Sequence, residues 1–186
     1  MGEFIHTAIV RNCTAPTAAA ALKKASATED YSLIPENCDC IQRGADLQIF
    51  FNESCAGYDS LTRELSEELQ RPVLLLYVYD GDYWGYFFFE NGRELDTFMP
   101  MPDYFEEVSE EARANAAGNS ALIAQYFHVD EAKIKNYLAV WTAELLEEES
   151  RAYPDDEFVR GDSWQMADFM QKLGFPYDGS PDNPEY

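Results

Sequence analysis

Residues 73–98, VLLLYVYDGDYWGYFFFENGRELDTF, constrain this chain more than any other stretch. An unbroken apolar run of about 18 residues would read as a membrane span. Here Asp80-Gly81-Asp82 interrupts the run, and Glu90-Asn91-Gly92-Arg93 interrupts it again. Residues 73–79 are apolar or aromatic throughout, the pattern of a strand buried on both faces. Asp80-Gly81-Asp82 then turns the chain into a second strand over 83–89. Asn91-Gly92 is the strongest short hairpin signal, because both residues tolerate positive φ. The return, 93–98, alternates: Leu95 and Thr97 on one face, Glu94, Asp96 and Phe98 on the other. The sequence therefore predicts a three-stranded meander. In its middle strand Tyr83, Phe87 and Phe89 share one face with Gly85, while Trp84, Tyr86 and Phe88 share the other. Both faces need cover.

The residues before the meander read as strand 4–10, helix 14–27, a connection over 31–37, two strands in 38–53 around Arg43-Gly44-Ala45, and helix 58–70. Thr14 can cap the first helix, Pro16 suits its first turn, and its alanines have the best helix propensity. In the second helix Leu61, Leu65 and Leu69 fall on one face, and Asp59 or Ser60 can cap it. Pro72 marks the change to strand. Strand, helix, strand, strand, helix, strand is the ferredoxin-like βαββαβ order. Two helices cover only one face of such a sheet. The second face of the meander must then meet the C-terminal segment, a ligand or another chain; if it is bare, a homodimer is the simplest cover.

Beyond the meander, 99–118 reads as a loop with a short acidic helix, and 120–127 as a helix capped by Asn119 or Ser120. A long helix is expected over 130–149, capped by Asp130, with Ile134, Tyr137, Leu138, Trp141 and Leu145 as its apolar stripe. Asp162 and Gln165 form a capping box for a last helix with Trp164, Ala167, Met170 and Leu173 on its stripe, ended by Gly174 and Pro176. Residues 176–186 have the composition of a tail. The fold expected is α+β: a ferredoxin-like sheet extended by an antiparallel meander, with a C-terminal helical segment packed on it. Residues 1–100 would form the sheet domain, and 101–186 an acidic helical segment within the same compact unit.

Charge narrows the partner class. Thirteen Lys and Arg oppose 35 Asp and Glu, for a formal charge of −22. Most of the excess lies in residues 80–186, where 24 acids face seven bases. Such a field repels nucleic-acid phosphates and anionic membranes and attracts basic proteins. The helix-turn-helix proportions around His128 do not point to DNA, because the second element begins Asp130, Glu131 and ends in three glutamates. The start, MGEFIHTAIVRN, lacks a basic region followed by an apolar core, and His6 stands where myristoylation needs Ser or Thr. A cytoplasmic protein with free thiols is expected.

Motifs for catalysis are weak. Cys38 and Cys40 alternate onto one strand face, but with Cys13 and Cys55 they lack the usual C-x-x-C zinc spacing and read as four small buried hydrophobes. A Cys13–His6 pair has only proximity in its favour. Asp80-Gly81-Asp82 lacks the calcium-loop pattern and reads as a turn. Asp155, Asp156 and Glu157 read as a solvated charge run. No cofactor or metal is expected.

A surface remains. Tyr83, Trp84, Tyr86, Tyr104 and Phe105 lie close in sequence to Asp80, Asp82, Asp103, Glu106 and Glu107, and aromatics beside charges are common at binding interfaces. Small, acidic, aromatic-rich and without a catalytic set, the chain is similar in composition to toxin-neutralising immunity proteins and other acidic inhibitors. The expectation is an interaction protein that holds a basic protein through these residues. The alternative is a small-molecule binder or enzyme with Tyr83, Trp84 and Tyr86 lining a pocket, which requires those rings to be open to solvent.

Overall fold

The computed structural model describes residues 2–28, 38–51 and 57–177, with side chains 26–28 left aside. The expected 31–37 connection, Cys55 and most of the C-terminal tail lie outside the described residues. The fold is α+β. Six strands, β1 (Ile5–Val10), β2 (Cys38–Arg43), β3 (Asp46–Phe51), β4 (Pro72–Tyr79), β5 (Tyr83–Glu90) and β6 (Arg93–Phe98), form one antiparallel sheet in the order β2-β3-β1-β4-β5-β6. The α-helices are α1 (Ala15–Thr28), α2 (Tyr58–Leu69), α3 (Glu110–Asn115), α4 (Ser120–Phe127), α5 (Ala143–Glu147) and α6 (Gln165–Lys172). None of the described helices is long and apolar enough to cross a membrane.

By their contacts the residues divide into two compact units. One holds the described residues of 5–77 and 87–95; the other holds 2–4, 78–86 and 96–177. In the first unit, Ala18, Leu22 and Ala25 of α1 and Leu61 and Leu65 of α2 bury against Ala8, Val10, Leu47, Ile49, Val73 and Leu75. Strand alternation explains the choice, since each of these strand residues lies two positions from the next on its strand. Register is fixed by Ala8 opposite Ile49 and Cys40 opposite Ile49. Residues of the other parity, Ile9, Phe50, Leu74 and Leu76, are buried as well. The α2 cap differs from expectation: Gly57 takes the N-cap position at φ 91°, with no side-chain cap from Asp59 or Ser60.

The meander forms as read. Asn91 (φ 51°) and Gly92 (φ 75°) make the β5–β6 turn, and Asp80 (φ 54°) and Gly81 (φ 77°) make the β4–β5 turn. Two central residues with positive φ define the type I′ hairpin, whose twist matches that of the strands.

In the second unit the long helix expected over 130–149 does not form. Glu131–Lys133 and Lys135–Tyr137 are single 3₁₀ turns, and α5 covers only Ala143–Glu147. Ile134 leaves helical geometry at φ −127°. The backbone groups pair elsewhere: Trp141 N–H donates to the Pro100 carbonyl, and the Leu138 carbonyl accepts from Gly118 N–H. Ile134, Tyr137, Leu138 and Trp141 are still buried, because spacings of three and four serve successive 3₁₀ turns as well as an α-helix. The capping box is also replaced. Asp162 Oδ1 accepts from Trp164 N–H, while Gln165 turns inward and takes the Trp84 indole N–H at 3.4 Å. The buried face of α6 is Met166, Phe169, Met170 and Leu173; Trp164 and Ala167 are half-buried. Asn119 does cap α4, accepting from Leu122 N–H.

Candidate functional site

The β4–β5 turn organises the surface. Asp82 N–H closes it on the Tyr79 carbonyl at 3.0 Å, and Gly81 N–H donates to the Glu3 carbonyl at 2.9 Å. The second bond draws residues 2–4 alongside the turn. Asp80 lies so close to Gly2 that a Cβ there would collide with its carboxylate. The absence of a side chain at position 2 leaves room for the Asp80 carboxylate where it lies.

Rings gather beside this turn. Tyr79 meets Phe4 at 5.2 Å, Phe105 at 5.3 Å and Tyr104 at 5.7 Å between centroids, all near-perpendicular, and stacks on Tyr83 at 5.5 Å. Edge-to-face packing is the favoured geometry for such rings. Phe4 (46% exposed) and Phe105 (65%) are the exposed large hydrophobic residues among those described, and both contact Tyr79. Isolated exposed apolar residues are ordinary; two that converge on one ring, beside acids, are a patch.

The acids flank it. Asp80, Asp82, Glu106 and Glu107 are exposed. Tyr104 donates its hydroxyl to Asp82 Oδ2 at 2.5 Å. That bond, with burial and the Asp82 and Asp80 charges, pushes the Tyr104 phenol up to about 12. Burial, then the neighbouring Tyr79, Tyr104 and Asp82, pushes Tyr83 up to about 12 as well. Both phenols therefore stay protonated at neutral pH, and Tyr104 keeps Asp82 in place. Asp103 is engaged within the chain: it accepts from Val108 N–H at 3.0 Å and pairs with Arg113. Of the ten residues singled out from sequence, Asp80, Asp82, Tyr104, Phe105, Glu106 and Glu107 stand at or beside this patch.

The other three rings do not face outward. Trp84 and Tyr86 are fully buried and Tyr83 nearly so. Trp84 packs on Phe98 at 5.0 Å and Phe169 at 5.2 Å; Tyr86 packs on the same two rings and donates to Asp96 Oδ2 at 2.6 Å. Their apolar area closes the core, and none of the three rings is open to solvent.

Two residues of the patch escaped sequence reading. Phe4 looked like a strand residue and Tyr79 like core; the pairing of β1 beside β4 and the Gly81–Glu3 bond bring them together. Asp156, read as solvated, is in fact buried. It accepts the Tyr137 hydroxyl and Tyr153 N–H (2.8 Å), with Lys172 at 3.6 Å. Asp168 likewise accepts Glu157 and Phe158 N–H. These carboxylates line a polar cleft with Lys133, Tyr153 and Lys172, but the bonds hold the 153–158 loop in shape. An Asp-Asp-Glu run gives no sign of which member turns inward; the two tyrosines nearby are the nearest thing to a signal.

Among the described residues, Cys13, Cys38, Cys40 and His6 do not build a reactive centre. Cys13 is buried and Cys38 half-buried, whereas Cys40 is exposed, contrary to the expectation that all are core. Burial raises all three pKa values, Cys38 to about 12 with help from Cys40 and Asp39. A thiolate, the form that attacks or ligates, is thereby disfavoured. His6 stacks on Tyr58 at 3.6 Å and burial lowers its pKa to about 4, so it is a neutral packing residue.

Comparison with known protein families, characterised proteins and solved structures found no match to this chain.

Proposed function

We propose that this chain is a cytoplasmic interaction protein that holds a basic protein partner, in the manner of an immunity protein or inhibitor. The observation that carries the reading is the convergence of Phe4 and Phe105 on Tyr79, beside exposed Asp80, Asp82, Glu106 and Glu107. A few apolar anchors ringed by charge is the anatomy of a protein interface. The net charge of −22 steers a basic partner toward it and repels nucleic acid and anionic membrane. The architecture behind the surface is, in our reading, a ferredoxin-like sheet extended by the meander, with the C-terminal helical segment on it. The strand order β2-β3-β1-β4 supports the first part, and the Phe169 contacts with Trp84 and Tyr86 the second. A small-molecule pocket on the meander has no such support, because Tyr83, Trp84 and Tyr86 are closed to solvent.

The test compares wild-type protein with an Asp80→Lys, Asp82→Lys variant in low-salt recovery from lysate of the source organism. The expected result is a basic protein retained by wild type, released by a salt step and missing with the variant. A partner retained equally by both would show that binding lies elsewhere.

A further inference from the structure

We infer that the surface selects arginine over lysine: a partner's guanidinium lies on the exposed ring of Phe105 while its N–H groups reach Asp80 and Asp82. This rests on the partner-binding reading and adds the group recognised.

Three observations carry it. First, Phe105 stands near-perpendicular to both Tyr79 and Tyr104, at 5.3 and 4.9 Å, yet stays 65% exposed. An aromatic ring with most of its surface open to solvent offers a planar cation a place to lie. Second, two carboxylates stand at the same turn, and one of them is positioned before any partner arrives. Asp82 is held by the Tyr104 hydroxyl, and Asp80 rests against Gly2. A carboxylate offers about four lone-pair sites, so one hydroxyl bond on Asp82 leaves capacity for a fork of N–H donors. Third, the chain already seats a guanidinium next door, Arg113 on Asp103.

Charge alone cannot make this choice, since the field attracts both cations alike. The difference lies in shape and hydration. Guanidinium is planar, weakly hydrated and forked, so it stacks on a ring and meets carboxylates at the same time; ammonium is a compact, strongly hydrated point charge.

The experiment titrates wild-type protein into fluorescein-labelled nona-arginine and nona-lysine at matched salt and reads anisotropy. Wild type is expected to hold nona-arginine about fivefold tighter, the size a partly exposed ring–cation contact gives. Phe105→Ala and Phe105→Leu should both remove that preference and leave nona-lysine binding unchanged; the leucine variant keeps an apolar side chain and loses only the ring. An Asp80→Asn, Asp82→Asn variant should weaken both peptides. Equal affinity for the two peptides, or a preference that survives both Phe105 variants, overturns arginine selection. If the double Asn variant still weakens binding in that case, the acidic surface stands without it. Indifference of both peptides to the double Asn variant overturns the surface and the selection together.

Discussion

Two aromatic clusters near the meander use the same chemistry to opposite ends. In one, Trp84, Tyr86, Phe98 and Phe169 are all buried, and Tyr86 donates its hydroxyl to Asp96 at 2.6 Å. In the other, Phe4, Tyr79, Tyr104 and Phe105 lie together at the surface, and Tyr104 donates to Asp82 at 2.5 Å. The bond is nearly the same length in both. Water decides what it does. Away from solvent, a phenol–carboxylate bond satisfies groups that would otherwise be costly to bury. At the surface the alternative partner is water, so the bond adds little stability and instead fixes the direction of a charge.

The contrast can be broken by substitution. Trp84→Ala should cost about 3–5 kcal/mol, the range for removing a large buried aromatic, read from urea unfolding; a loss under about 1 kcal/mol would mean that this ring is not core. Tyr86→Phe should cost about 1–2 kcal/mol by stranding Asp96 in a half-buried site, partly offset because Asn119 N–H still reaches the same carboxylate. Gly118→Ala should destabilise as well, since its Cβ would strike the Tyr86 hydroxyl.

Alkali sharpens the comparison. Burial and Asp96 raise the Tyr86 pKa well above 10. The folded state thus keeps a proton that the unfolded chain releases near 10, so the contribution of Tyr86 to stability is level below pH 10 and falls as pH rises beyond it. Unfolding midpoints at pH 9 and 11 should differ in wild type and differ less in Tyr86→Phe. Smallest of all, Phe105→Ala should change stability by no more than about 0.5 kcal/mol, as exposed positions do, and Tyr104→Phe should leave it nearly unchanged. A larger cost at either would erase the distinction between the clusters.

Local rules carried the sequence reading a long way and failed where long-range partners compete. Turn chemistry was legible: Asp80-Gly81 and Asn91-Gly92 each supply two positive φ values, which few other pairs adopt without strain. The 130–149 helix was not legible, because the Pro100 carbonyl and Gly118 N–H pair with backbone that a helix would have used, and neither is near in sequence. The candidate site divides the same way. Asp80, Asp82, Tyr104 and Phe105 could be named from composition, but alternation could not say that Trp84 and Tyr86 turn inward while Phe105 stays out. Phe4, some 75 residues before Tyr79, carries no local mark of belonging with it.

The bond from Gly81 N–H to the Glu3 carbonyl has a consequence for observation. It ties a short N-terminal stretch to a hairpin tip, and through that stretch Phe4 reaches Tyr79. Its amide proton exchanges with deuterium only when the tie opens. One amide therefore works as a clock for how often the surface is complete, and a partner gripping Phe4 would slow that clock while leaving the strands behind it at their own pace.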